Sequence, residues 1–182
     1  MKHFCAWIAT ATILGGLAFA QDTRYNFDSQ TDFSKYKTYK WVDIKGDKPD
    51  DLTDRQIRST LEAELAKKGL TKIDADNADM FIGYQTAIGT EKQVNSFDTG
   101  WGYGPGWRGY GYGGSGMSTS TTSTLYIGTL VLDMYDPAKK QLVWRGTASK
   151  TLDTKAKPEK RQKNLQKGAA KLLKNYPPKE KG

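Results

Sequence analysis

Apolar residues alternate with polar ones in the first part of the chain after a hydrophobic leader. Tyr25 and Phe27 are separated by one polar residue, and so are Tyr39 and Trp41 beyond the Asp32-Phe33-Ser34 turn. A period of two places each aromatic pair on one face of a sheet and predicts extended structure over 23–43. The period then changes. Ile57, Leu61 and Leu65 recur every fourth residue, Thr53 and Gln56 have capping-box spacing at the start, and Gly69 is placed to end the segment, which predicts a helix. Shorter runs at 78–87, 125–134 and 142–149 read as strands, the last two joined through Asp136-Pro137 and a short loop as a hairpin. A final helix is predicted from Pro158 to Tyr176, with Leu165, Ala169, Leu172, Leu173 and Tyr176 on one face and Pro177-Pro178 behind it.

The strands lie between two helices and do not alternate regularly with them. The expected fold class is therefore α+β: a single domain with a mainly antiparallel sheet of about five strands and two helices packed on one face. Its expected limits are 21–176, followed by a tail over 177–182.

Ahead of the domain, the positive start Met1-Lys2-His3, the apolar stretch Phe4 to Leu17 and the small-residue ending Ala18-Phe19-Ala20 form an export-signal pattern over 1–20. The stretch is broken by Gly15-Gly16 and is shorter than the roughly 20 apolar residues of a spanning helix. No Cys stands at the cleavage point, so a soluble periplasmic or extracellular protein without lipid anchor or transmembrane span is expected.

Cleavage there changes the available chemistry. His3 and Cys5 are the only His and Cys in the chain, and both lie in the leader. The remainder has no thiolate nucleophile, no Ser-His-Asp triad, no disulfide and no zinc site of the usual ligands. Carboxylate, Lys, Ser/Thr and Tyr chemistry remain, and no metal or cofactor is expected.

Charge is unevenly spread. Residues 150–182 carry 11 Lys/Arg against 3 Asp/Glu, whereas 21–149 carry 16 against 17. On the final helix, Lys160, Arg161, Lys163, Lys167, Lys171 and Lys174 surround the apolar stripe. That form suits contact with anionic headgroups or another acidic envelope surface, and equally a solvated face on a helix packed against the sheet.

The segment 97–116 is rich in Gly and holds Phe97, Trp101, Tyr103, Trp107, Tyr110 and Tyr112, with Arg108 among them. Aromatic rings stack on sugar faces, which makes Trp101, Tyr103, Trp107, Arg108, Tyr110 and Tyr112 a candidate glycan-binding set. The competing reading is an insertion between two strands. There is no phosphate-cradling G-x-x-x-x-G-K-S/T pattern. An exported protein rarely meets nucleic acid, so none is expected as a partner despite the basic residues.

Two further patterns have simpler readings. Asp74-Ala75-Asp76 lacks the glycine and later ligands of a calcium loop and reads as a polar turn. Ser34 and Lys37 have S-x-x-K spacing without a supporting K-T-G.

Four pieces in order resemble a family of exported bacterial proteins, the domain of unknown function 4136 family. They are the run from Asp32 to Trp41; Ala78-Asp79 leading into Met80 to Tyr84; Gly128-Thr129-Leu130-Val131 with Asp133 and Asp136 running to Leu142-Val143-Trp144-Arg145-Gly146; and Leu172-Leu173 to Tyr176-Pro177-Pro178. Many members look like lipoproteins, and this chain departs from them in lacking the acylated Cys. The resemblance implies a fold and a compartment and carries no catalytic residues.

The expected function is that of a non-catalytic cell-envelope module. It would bind or bridge an envelope glycan, an anionic lipid surface or another envelope protein. The alternative is a hydrolase acting on an envelope polysaccharide with Asp133 and Asp136 as acid and base, which requires the two to face one cleft.

Overall fold

The computed structural model describes residues 22–44, 49–97 and 119–179. Six strands and two helices follow in the order β1 (Asp22–Phe27), β2 (Thr38–Trp41), α1 (Asp51–Lys67), β3 (Thr71–Lys72), β4 (Met80–Phe97), β5 (Thr119–Asp136), β6 (Gln141–Leu152) and α2 (Pro158–Leu172). The strands form one sheet in the order β1-β6-β5-β4-β2-β3. The α+β class is as expected, with one strand more than the pattern suggested. The sheet is mixed: β2 runs parallel to both β3 and β4, and every other pair is antiparallel. The parallel part arises because α1 returns the chain over the sheet between β2 and its neighbours, as a parallel connection requires.

Local chemistry explains the helix boundaries. Asp50, not Thr53, caps α1: its carboxylate accepts from the amides of Leu52 and Thr53 at 3.1 and 3.0 Å, and Thr53 spends its hydroxyl on the same carboxylate at 2.7 Å. At the far end the Leu70 amide donates to the Leu65 carbonyl and the Gly69 amide to that of Ala66, with Gly69 at φ 82°. This is the Schellman arrangement, completed by the apolar pair Leu65 and Leu70, both in the core. Helix α2 begins with Pro158 at its first turn and stops at Leu172, four residues before the predicted end. Leu173 and Tyr176 nevertheless remain buried in the core.

Strand alternation divides the sheet into two faces. Tyr39, Met80, Ile82, Leu132, Met134, Trp144 and Ala148 lie under the helices with Ile57, Leu61, Leu65, Ala169 and Leu172. Leu61 and Leu65 are fully buried, each stabilising the fold by about 1.5–3 kcal/mol relative to exposure. Trp144 lies flat because its neighbour is Gly146: a Cβ there would collide with the indole ring and approach Leu172 Cδ1 at 2.8 Å. Among the described residues no helix lies over the opposite face. Ile44 covers Gly83, where a Cβ would stand 2.5 Å from Ile44 Cγ1.

The central hairpin is much longer than the apolar pattern predicts. β4 and β5 are 18 residues each and stay in register from Phe81↔Tyr135 to Phe97↔Thr119, whereas β6 accompanies β5 only as far as Tyr126↔Leu152. The end of the hairpin is thus a two-stranded ribbon. Its β5 arm is Ser/Thr-rich and its β4 arm mostly polar, so there is no apolar alternation for a pattern to detect, and the backbone ladder defines it.

Candidate functional site

A cleft opens under the helices where the core ends. Its floor comes from Thr86 and Ile88 of β4, Gly128 and Leu130 of β5, and Ala148, Lys150 and Leu152 of β6; its walls are the N-terminal halves of α1 and α2. The volume is about 330 Å³, within the range of small-molecule sites. Ile57, Leu130 and Leu165 make the interior apolar. At the lip, Ile88 is 72 % exposed and Leu152 40 %.

The cation of this cleft is Lys150. Helix-facing positions of β6 read Trp144, Gly146, Ala148, Lys150, so the strand period points a lysine inward where the core thins out. Its Nζ donates to Asn164 Oδ1 of α2 at 2.8 Å. Among the described residues no carboxylate lies within ion-pair distance of it. Burial, followed by repulsion from Lys167, Lys171 and Lys160, lowers its pKa below that of an ordinary lysine. Arg161 also lines the cleft but donates to the carbonyls of Ala156 at 2.9 Å and Thr154 at 3.5 Å. Asp153, the rim's acid, is engaged by Lys160 at 2.8 Å and by the Lys155 amide at 3.1 Å.

The predicted basic set is exposed at every position, but it is less uniform than its sequence suggests. Lys160 and Arg161 are committed as above, and Lys174 stands beyond the end of α2, where its carbonyl accepts from Lys68 Nζ at 3.3 Å. Lys163, Lys167 and Lys171 remain as the open basic side of the helix. The predicted aromatic set, Trp101, Tyr103, Trp107, Arg108, Tyr110 and Tyr112, lies outside the described residues. The structure does fix where that segment attaches, at the end of the β4–β5 ribbon.

The two candidate acids do not share a cleft. Asp133 points to the face opposite α1 and α2, where Arg145 grips it with bonds of 2.6 and 2.7 Å. Asp136 points to the other face. It accepts from the Ala138 and Lys139 amides of the hairpin turn at 2.9 and 3.0 Å and from the Tyr36 hydroxyl at 2.8 Å. Burial alone would raise its pKa, but these three donors outweigh burial and hold it below the usual carboxylate range. Burial and the same bond to Asp136 push the Tyr36 phenol well up. The acid and base geometry required by the hydrolase alternative is therefore absent at this pair.

Other polar groups also serve the fold. Asp79 accepts from the amides of Lys37 and Thr38 at 2.9 and 2.8 Å, and Asp76 pairs with Lys40 at 2.5 Å, which accounts for the acidic turn before β4. Ser34 donates to Asp32 at 2.6 Å. Arg58 sits 5.3 Å from the Trp41 ring and 5.7 Å from Tyr84, bonded to Asp54 and Asp43, so this cation–π cluster fastens α1 to β2 and β4.

Among the described residues no group of three or more metal-ligating side chains occurs, and no helix is long and apolar enough to cross a membrane. No curated protein matches the chain. Among solved structures, it is similar to a PDZ domain protein from Parabacteroides distasonis at 15 % identity and a TM-score of 0.54, over 89 % of this chain and 37 % of that one. The chain thus spans little more than a third of that protein's length. It is also similar to a PelC dodecamer subunit from Paraburkholderia phytofirmans at 14 % identity and a TM-score of 0.50, covering 85 % of this chain and 95 % of the other. At such identities the likeness concerns the fold. The model of the domain of unknown function 4136 matches residues 23–178, nearly the whole of the folded region, and the chain belongs to that family.

Proposed function

We propose that this protein is a non-catalytic module of the cell envelope, exported by its N-terminal signal, that holds an anionic envelope component against the basic side of α2. The observation that carries this reading is the concentration of positive charge around that helix. Lys163, Lys167 and Lys171 lie exposed along it, and the field of Lys160, Lys167 and Lys171 helps to lower the pKa of Lys150 beneath them. Glu159 is the only acid in α2. A positive surface of this kind attracts anionic headgroups, and salt screens the attraction beyond a Debye length of about 10 Å at roughly 0.1 M, a distance that shortens as salt rises.

The long hairpin supports a bridging role. From Glu91 and Leu125 to Phe97 and Thr119 the ribbon runs beyond the rest of the sheet. Seven residues at about 3.4 Å each carry the ends of the Gly/aromatic segment roughly 20 Å from the core. A basic helix and an aromatic segment attached at the far end of this ribbon then suit one module joining two envelope components.

The test is co-sedimentation of the mature chain with phosphatidylglycerol vesicles and with neutral vesicles at low and high salt. Retention on the anionic vesicles that high salt abolishes, and that Lys163→Gln, Lys167→Gln and Lys171→Gln together reduce, is the expected result. Equal retention by the triple variant, or none by the parent at low salt, refutes the role of α2.

A further inference from the structure

We propose that the cleft between α1, α2 and the β4–β6 floor binds a single-chain amphiphile, an apolar chain ending in a carboxylate, with the chain on Ile57, Leu130 and Leu165 and the carboxylate on Lys150. The inference deepens the envelope-binding role and rests on it, since both draw on the same positive field, but it assigns a separate cleft with its own chemistry.

Three observations fit one ligand. First, the cleft is apolar where it is deep, and it leaves Ile88 72 % exposed at its lip, a large side chain that a ligand chain would cover. Second, its size suits one chain: about 330 Å³, at roughly 30 Å³ for each water-sized group, holds about ten methylene-sized groups. Third, one cation is directed into the cleft. Lys150 reaches the cleft from its floor with a neutral amide, Asn164, as its hydrogen-bond partner among the described residues. A partly desolvated ammonium without a counter-charge is stabilised by an incoming anion.

The alternatives fit less well. Arg161, the other cation of the cleft, has its donors turned toward the Ala156 and Thr154 carbonyls, and Asp153 is paired with Lys160, so Lys150 is the cleft cation placed to meet a ligand head. A doubly charged phosphate monoester would meet an incomplete set of donors. A sugar would meet apolar walls where it needs hydrogen-bond partners.

The experiment is calorimetric titration of the mature full chain with decanoate, with decanol as the uncharged chain of equal length, and with lysophosphatidylglycerol below its micelle concentration. Saturable binding of one decanoate is expected, with decanol weaker. Lys150→Met should weaken decanoate by roughly tenfold and leave decanol unchanged, as the loss of one charged hydrogen bond implies. Thr86→Trp, which fills the cleft from its floor, should abolish both while the melting transition persists. Absence of decanoate binding overturns the proposal, as does equal decanoate affinity in both variants. Tighter binding of the lysophospholipid than of decanoate overturns the carboxylate assignment. Vesicle retention separates the two readings: if Thr86→Trp keeps salt-sensitive retention but loses decanoate, both hold, and if the parent binds decanoate but no vesicles, only the surface role fails.

Discussion

Replacing Gly146 by Ala adds one methyl group at the tightest point of the core. The strand residue faces α2, and a Cβ there would collide with the Trp144 ring and approach Leu172 Cδ1 at 2.8 Å. Two effects of opposite sign compete. Glycine in a strand costs conformational entropy, so Ala should stabilise by about 0.5–1 kcal/mol; overpacking a closed core costs about 1–3 kcal/mol. Leu172 can rotate away, but Trp144 is only 1 % exposed and is held edge-on to Tyr176 at 5.7 Å. The ring cannot yield, so overpacking wins with a net loss of about 1–2 kcal/mol. For a domain of this size that lowers the melting temperature by roughly 2–8 °C. Gly89 is the matched control: it too lies in a strand, and nothing comes within 4 Å of its Cβ position. Gly89→Ala should therefore raise stability by about 0.5–1 kcal/mol. Thermal unfolding of both variants, followed by circular dichroism, checks the pair. A melting temperature for Gly146→Ala at or above that of the parent would refute the packing argument.

Two further outcomes follow from the polar contacts. Because the folded pKa of Asp136 is depressed, its ionisation supplies stability that is present above its unfolded value of about 3.9 and is lost as pH falls through the folded value. Asp136→Asn should therefore show a shallower loss of stability below about pH 4 than the parent, measured by urea unfolding across pH; an unchanged acid limb would rule out this role. Arg145→Ala removes the two-bond partner of Asp133, which is 8 % exposed. A cost of about 1.5–3 kcal/mol is expected by chemical denaturation, toward the lower end because the Arg145 side chain is half exposed, and no change would show that water replaces the pair.

Much of this fold is legible in the residue pattern because burial imposes a period. Ile57, Leu61 and Leu65 mark α1, and Gly69 marks its end because a left-handed residue was needed there. The pattern misled where the backbone carries the structure without burial. The outer hairpin is paired residue by residue, yet its mostly polar sequence shows no apolar alternation. Capping chemistry misplaced the start of α1 because Asp50 and Thr53 both have suitable oxygens, and their geometry decides between them. The site was partly visible. A lysine on the inward register of β6 after Trp144, Gly146 and Ala148 was a signal, but one strand cannot show that α1, α2 and β4 leave space around it.

The sequence alone determined the local elements, the leader pattern, the missing His and Cys beyond it, and the concentration of basic residues after 149, because these depend on residue type and near-neighbour spacing. Only the tertiary structure decided which groups meet. It put Asp133 and Asp136 on opposite faces, three residues apart on a strand whose side chains alternate, and it bound Arg145 to the first and Tyr36 to the second. It also placed Lys150 in an apolar cleft formed by five elements, α1, β4, β5, β6 and α2. The charge of a side chain is written in the chain, but the water removed from around it depends on what packs there.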